Sequence, residues 1–164
     1  MPTPVHALMR SWRATILILA LPMGLGACSS IESLLGITPK AAVKQVNVIA
    51  QTGANTDSAT TLDLVFVYDS AAQTHLPQTA PEWFAQKEAL LAGWPLAMDV
   101  VPVSIPPSTQ ANTLTLPERH ASAVAVLSYA RYFEPAGQAV GVLTPFSCVQ
   151  IVLQPSAVAY QSCD

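Results

Sequence analysis

The chain has 164 residues, of which 10% are charged and 51% are hydrophobic, and its formal net charge is −3. This length is sufficient for one domain with a substantial core. The shortage of basic residues argues against a nucleic-acid-binding protein, because such proteins present a basic face.

The first residues have the pattern of a bacterial secretion signal. Arg10 and Arg13 form a basic region, and the apolar stretch at residues 14–21 is too short for a stable membrane span. The triplet Leu25-Gly26-Ala27 directly precedes Cys28, which is the lipoprotein pattern of Leu-x-small before a cysteine that becomes the first mature residue and carries lipid. An ordinary signal peptide with an incidental cysteine is the alternative.

The lipoprotein interpretation divides the chain into three parts. We expect a removed signal peptide over residues 1–27, a lipid-anchored tether over residues 28–42 and one domain over residues 43–164. Ser29 follows the lipidated cysteine. In enteric-type bacteria an aspartate at that position tends to retain a lipoprotein in the inner membrane, so Ser29 favours the periplasmic face of the outer membrane.

Alternating residues predict the first two strands. Residues 44–51 alternate valines with polar residues, as a half-buried strand does. Residues 62–69 predict a stronger strand, with Leu62, Leu64, Phe66 and Tyr68 on one face and Asp63, Val65, Val67 and Asp69 on the other. The two aspartates share a face, and we expect solvated carboxylates at a strand edge there, with a cation site as the alternative.

A polar loop connects these two strands and is the candidate recognition site. Loops of this composition on a rigid sandwich commonly carry recognition, and a merely flexible connection is the alternative. The predicted binding loop consists of Thr52, Gly53, Ala54, Asn55, Thr56, Asp57, Ser58, Ala59 and Thr60. A second loop near residues 106–113 is predicted at the same rim.

One helix is predicted over residues 81–93. Thr79 is a suitable N-cap, Pro81 has no amide hydrogen to leave unsatisfied, and Gly93 is a suitable end. The helical spacing of its apolar side chains predicts a face that packs on a sheet. This face carries Trp83 or Phe84 together with Lys87, Leu90 and Leu91.

The remaining strands complete a mainly β domain. Residues 98–105 predict an edge strand or an irregular strand, because Pro102 cannot donate to a sheet. The apolar segment 123–133 predicts a central strand, and shorter strands are predicted over 112–116, 139–143, 147–154 and 157–161. About seven strands with one inserted helix predict a β-sandwich.

Two cysteines remain after lipidation, and we expect them to pair. Cys148 and Cys163 would close a loop of about 15 residues, which chain entropy predicts to stabilise the fold by roughly 3 kcal/mol. No CxxC spacing supports a redox or metal pair.

Catalytic patterns are missing from the sequence. His75 and His120 lie in polar, loop-like stretches, where a histidine is usually solvated surface. The chain contains no GxSxG, no HExxH and no glycine-rich phosphate loop. We therefore predict a protein that is not an enzyme and has no cofactor and no metal site.

The order of these motifs resembles the outer-membrane lipoproteins of type VI secretion systems, the TssJ family. The shared features are the lipidation motif at 25–28, the strand 46–50 followed by Asn55, the strand end 65–68, the aromatic-led helix 83–91, the Leu-Pro turn at 116–118 and the strand 123–133. The chain departs from the family at Ser58-Ala59-Thr60, where a Gly-Arg-Pro-like piece is usual, and at Glu118, where the turn has lost its glycine. These departures are typical of a divergent member or of a relative that serves another envelope machine.

The resemblance implies a transthyretin-like β-sandwich with seven to eight strands. It also implies a structural component of a secretion membrane complex, which binds the periplasmic domain of an inner-membrane TssM-type protein through the loop between the first two strands. By position, that loop is 52–60 in this chain. The alternative is a stand-alone periplasmic binding, inhibitor or pilotin-type lipoprotein.

Overall fold

The computed structural model describes residues 40–163. The predicted signal peptide, the lipidation site Cys28 and the tether up to residue 39 lie outside the described residues.

Eight strands form two four-stranded sheets. The first sheet has the order β4-β1-β7-β8, with β1 at Gln45–Ala50, β4 at Asn112–Thr113, β7 at Cys148–Leu153 and β8 at Val158–Ser162. The second has the order β3-β2-β5-β6, with β2 at Thr60–Val67, β3 at Met98–Ile105, β5 at Ala125–Ala130 and β6 at Gly141–Val142. β1 pairs in parallel with β7, whereas the other strand pairs are antiparallel. The predicted β-sandwich is confirmed.

Two helices follow β2 along the chain. The first, α1, is a single turn at Ser70–Gln73, and the predicted longer helix, α2, spans Ala80–Gly93. Short 3-10 turns lie at His120–Ser122 and Pro135–Gly137. Among the helices of residues 40–163, none is long and apolar enough to cross a membrane.

The alternation in β2 produces two separate cores. Leu62, Leu64 and Phe66 pack between the sheets, against residues of β1 and β7 such as Val46 and Ile151. Val65 and Val67 point the other way and pack under α2, together with Trp83 and Tyr129. The second sheet is therefore covered on both faces, which explains why β2 is buried at six consecutive positions from Leu62.

Several predicted strands are shorter in the structure. Pro102 does lie in an edge strand, as its missing amide hydrogen predicts, because β3 ends the second sheet. The segment predicted as a strand over 123–133 is paired only at Ala125–Ala130, and the strand predicted over 112–116 only at Asn112–Thr113. In the segment 123–133, burial extends beyond the hydrogen-bonded ladder, because Ala123 and Tyr132 are buried outside β5.

The prediction that the carboxylates of Asp63 and Asp69 are both solvated is wrong for Asp63. Asp63 is 1% exposed and lies under α2, where it accepts hydrogen bonds from Lys87 Nζ and Trp83 Nε1, each at 2.8 Å. Asp69 is exposed, and its carboxylate caps α1 by accepting from the amide of Ala71 at 2.8 Å. The two helix residues that contact Asp63 lie 20 and 24 residues along the chain, and the strand pattern alone does not reveal these contacts.

Candidate partner-binding end of the sandwich

The loop between β1 and β2 is a built structure with unusual backbone geometry. Ala54–Asp57 form one turn in which Asn55, Thr56 and Asp57 have φ angles of 51°, 55° and 57°. Gly53 precedes them with φ 74°. Left-handed geometry at a residue other than glycine costs about 1–3 kcal/mol and persists where the surrounding structure enforces it.

Asn55 is the residue that enforces this turn. Its side chain is 2% exposed, its Nδ2 donates to the carbonyl of Arg131 at 3.1 Å, and its Oδ1 accepts from the amide of Phe133 at 3.0 Å. Asparagine tolerates the left-handed region better than most residues. Asn55 therefore joins the loop to the segment that follows β5.

Backbone hydrogen bonds attach the same loop to two further segments. The amides of Asn55 and Thr56 donate to the carbonyls of Gln154 and Pro155, each at 3.1 Å, at the turn between β7 and β8. On the other side, the amide of Ser108 donates to the carbonyl of Gln51 at 3.2 Å, which brings in the second predicted rim loop. We call residues 51–59, 106–109, 131–133 and 154–157 the loop end of the sandwich.

Three of the nine predicted loop residues are unavailable to a partner. Ala54 and Asn55 are buried in the turn, and Thr60 is 0% exposed as the first residue of β2. The side chains of Thr52, Thr56, Asp57 and Ala59 are exposed, while Gly53 and Ser58 are half-buried. A partner would meet the exposed residues on a backbone that the buried ones hold in place.

Two residues at the loop end were not predicted as site residues. Arg131 and Phe133 were assigned to the predicted central strand, but β5 ends at Ala130. Phe133 is 69% exposed, and the guanidinium carbon of Arg131 lies 4.3 Å from the centroid of the Phe84 ring on α2. The sequence signal that indicates them is the turn at Glu134 and Pro135, which places Phe133 directly before a bend.

The side chain of Tyr132, which lies between Arg131 and Phe133 in sequence, is hydrogen-bonded to another segment of the loop end. Tyr132 is buried and its hydroxyl donates to the carbonyl of Gln154 at 2.9 Å. Burial is the main cause that raises the pKa of Tyr132 to about 12, so the phenol is neutral and acts as a donor. This bond fixes the segment after β5 to the turn between β7 and β8.

The tether joins the domain at the opposite end. The amide of Ala41 donates to the carbonyl of Ala123 at 2.7 Å, and the amide of Lys44 donates to that of Ser147 at 2.8 Å. Ala123 and Ser147 precede β5 and β7, whose far ends lead to the loop end. We call the end of the sandwich that is formed by residues 41–44, 123 and 147 the tether end.

The tether end carries an exposed charged cluster. Arg119 donates to both carboxylate oxygens of Asp99, at 2.8 and 2.9 Å, and its guanidinium lies 3.8 Å from the centroid of the Tyr68 ring. The hydrogen bond from Arg119 holds the pKa of Asp99 below its ordinary value. Burial and the hydrogen bond to Asp99 raise the pKa of Tyr68.

The disulfide also lies at the tether end. Cys148 and Cys163 are bonded, with their Cα atoms 5.3 Å apart, and this is the pair that the sequence predicts. It links the first residue of β7 to the residue that follows β8. The side-chain Nδ2 of Asn47 in β1 donates to Cys163 Sγ at 3.4 Å.

The two histidines make separate local contacts. His75 is exposed and its ring lies 5.3 Å from that of Trp94, while His120 Nδ1 lies 2.8 Å from the carbonyl oxygen of Pro117. Within residues 40–163, no three side chains of His, Cys, Asp or Glu are grouped as metal ligands would be.

The sequence matches no family model, and no curated protein matches it. The structure is similar to that of Serratia marcescens Lip, described as a membrane-bound component of the type VI secretion system, with a TM-score of 0.54 and 10% identity over 73% of this chain and 96% of that one. It is also similar to the type VI secretion lipoprotein TssJ1 from Pseudomonas aeruginosa, with a TM-score of 0.55 and 13% identity over 73% of this chain and 95% of that one.

A third similarity is to a chain in the solved structure described as the C-terminal domain of the type VI secretion protein TssM from EAEC. The TM-score is 0.51 and the identity 15%, over 71% of this chain and 98% of that one. Because the two lipoprotein structures are matched over almost their whole length, residues 40–163 have the β-sandwich fold of the type VI secretion lipoproteins Lip and TssJ1.

Proposed function

We propose that this chain is a structural lipoprotein of an envelope-spanning type VI secretion membrane complex. In this proposal it is anchored through Cys28 at the periplasmic face of the outer membrane, has no cofactor and does not act as an enzyme. The observation that carries the proposal is the match to Lip and TssJ1 over 96% and 95% of their lengths.

The arrangement of the two ends supports this position. The tether and the β1–β2 loop lie at opposite ends of β1, which has six residues. At roughly 3.3 Å per residue this strand separates them by about 17–20 Å. A domain held by its tether end therefore presents its loop end away from the membrane.

The proposed partner is the periplasmic domain of an inner-membrane TssM-type protein. The exposed side chains of the β1–β2 loop would contact it, as the family resemblance implies. A loop that is already held in one conformation loses little entropy on binding, which favours a specific interface. Asn55 supplies this preorganisation by binding two backbone groups beyond β5.

The test is co-purification of the full lipidated protein with the TssM-type periplasmic domain encoded in the same genome. Asp57→Lys reverses a charge at an exposed position of the loop, and Glu118→Lys makes the same change at an exposed position near the tether end. We expect Asp57→Lys to weaken binding by roughly tenfold or more, which corresponds to about 1.4 kcal/mol, and Glu118→Lys to leave it unchanged. Glu118→Lys should keep the wild-type melting temperature, since its site is exposed. Thermal melting establishes that Asp57→Lys, which has a φ of 57° at the substituted residue, is folded at the temperature of the binding assay.

Failure of the wild-type protein to bind this domain, although it is located at the outer membrane, would contradict the proposal and favour a stand-alone lipoprotein. Membrane anchoring is tested separately with Cys28→Ser. We expect this variant to be lost from the outer-membrane fraction, because stable anchoring requires the acyl chains. An unchanged distribution of Cys28→Ser would exclude lipid attachment at this residue as the anchor.

A further inference from the structure

A cavity of about 390 Å³ opens beside the loop end, between α2 and the segment that follows β5. Its lining residues are Pro81, Phe84, Ala85, Arg131, Tyr132 and Gln138. Its size is near the lower limit of roughly 300–1,000 Å³ for ligand pockets, which suits one or two side chains of a protein partner. Phe133, which is 69% exposed, follows the lining residues Arg131 and Tyr132 directly.

Arg131, the charged member of this lining, has no acidic partner among the described residues. Within residues 40–163, neither of the ion pairs involves Arg131, and its guanidinium makes no hydrogen bond to a described residue. Its guanidinium carbon lies 4.3 Å from the centroid of the Phe84 ring, a cation–π contact that uses no N–H donor. Within residues 40–163 the N–H donors of the guanidinium bind no acceptor, and their fork geometry matches a carboxylate.

The wall that carries Arg131 is fixed in place. Asn55 binds the carbonyl of Arg131 and the amide of Phe133, and Gln138 Nε2 donates to the carbonyl of Tyr132 at 2.8 Å. Gly137 lies against the Tyr132 ring so closely that a Cβ atom at this position would overlap it. The cavity is therefore preformed, and binding would require little rearrangement of this wall.

We infer that the cavity is a second part of the partner-binding surface, which receives an apolar side chain of the partner while Arg131 binds a neighbouring Asp or Glu carboxylate. This inference rests on the proposed function and specifies the chemistry of the partner segment. Asn55 connects the two parts, because it holds the β1–β2 loop and the cavity wall through one side chain. The interface thus combines an apolar anchor with a charge contact, as strong protein interfaces commonly do.

The cavity is tested by filling it without removing any contact. Ala85→Trp places a large ring in the cavity, and Gln86→Trp adds the same ring at the adjacent exposed helix position, which does not line it. We expect Ala85→Trp to weaken binding to the TssM-type periplasmic domain by at least tenfold and Gln86→Trp to leave it unchanged. Circular dichroism melting of both variants establishes that each is folded.

The charge contact is tested with Arg131→Gln against Lys44→Gln, which removes the same charge at the tether end. We expect Arg131→Gln alone to weaken binding at low salt and to reduce the dependence of the dissociation constant on salt concentration. Wild-type binding that is lost in Asp57→Lys but unchanged in both Ala85→Trp and Arg131→Gln would overturn this inference and leave the proposed function standing. Absence of wild-type binding would overturn both.

Discussion

Asp63 and Lys87 form an ion pair of 2.8 Å across the interface between β2 and α2, although the Asp63 side chain is only 1% exposed. The same carboxylate oxygen accepts a hydrogen bond from the indole of Trp83, whose ring stacks on Tyr129 at 4.8 Å. The other oxygen, Oδ1, is buried and has no partner among the described residues. The helix is therefore attached to the sheet through one strongly buried charge.

Lys87→Met is expected to destabilise the domain strongly. It removes the ammonium group and leaves the Asp63 carboxylate buried with the Trp83 donor alone, which should lower the free energy of unfolding by about 3 kcal/mol or more. In the double variant Asp63→Asn/Lys87→Met, the neutral amide still accepts from Trp83, and we expect at least about 1 kcal/mol of the loss to be recovered. Urea unfolding measures both, with Gln86→Met as the exposed control on the same helix. Equal stabilities of Lys87→Met and wild type would show that the pair contributes nothing.

Asn55→Ala is expected to destabilise the domain through two backbone groups. The carbonyl of Arg131 and the amide of Phe133 both lose their side-chain partner, so we expect a loss of about 2 kcal/mol or more. Thr56→Gly is the matched control, since it changes the next residue of the same left-handed turn. It should retain wild-type stability within about 1 kcal/mol, because relief of strain offsets the flexibility of glycine. Thermal melting distinguishes the two, and a larger loss for Thr56→Gly would count against the strain argument.

Removal of the disulfide should weaken the domain without changing its fold. The bond closes a sequence separation of 15 residues. For such a loop, chain entropy predicts that the Cys148→Ser/Cys163→Ser variant loses about 3 kcal/mol. Non-reducing mass spectrometry of alkylated protein from the periplasm gives the direct check. Two alkylated thiols in that material would disprove the bond.

Acid should remove the contribution of the Asp99–Arg119 pair. The pKa of Asp99 is held below its ordinary value in the folded state, so the pair stabilises the fold above that ordinary value and ceases to do so as the pH falls through the folded-state pKa. We expect the melting temperature of Arg119→Gln to be lower than that of wild type at neutral pH and the difference to narrow in acid, over a scan from about pH 7 to 2, because only the pair with Asp99 depends on the carboxylate charge. Arg131→Gln, whose arginine has no carboxylate partner within residues 40–163, should show no such convergence.

Much of the fold was predictable because it depends on local pattern. The alternation from Leu62 to Val67 identified both faces of β2, and Pro102 identified an edge strand. The features that shape the candidate site depend on distant residues. Asn55 acts through groups 76 and 78 residues away, and the burial of Asp63 depends on α2. Neither relationship leaves a periodic signal in the sequence.

The end of β5 shows the same limit. Arg131 and Phe133 end the largely apolar segment 123–133, and composition alone does not distinguish its paired part from the residues that follow. The amide of Arg131 still donates to the carbonyl of Thr61 in β2 at 2.8 Å, whereas the carbonyl of Arg131 and the amide of Phe133 bind the side chain of Asn55 and not a strand. Arg131 and Phe133, the site residues that were not predicted, are exposed at this point.

The parallel pairing of β1 with β7 has a mechanical consequence. β1 leads from the tether end to the β1–β2 loop, and it is paired with β7 from Gln45 to Ala50. A pull between an anchored tether and a partner bound at the loop would act along the axis of this strand. A load on the β1–β2 loop would pass along the covalent backbone of β1. A load on the neighbouring turn after β7 would reach the tether through the hydrogen bonds between β1 and β7, which would then be loaded together in shear and would share the force. The domain would therefore transmit tension between its two ends without opening these bonds one at a time.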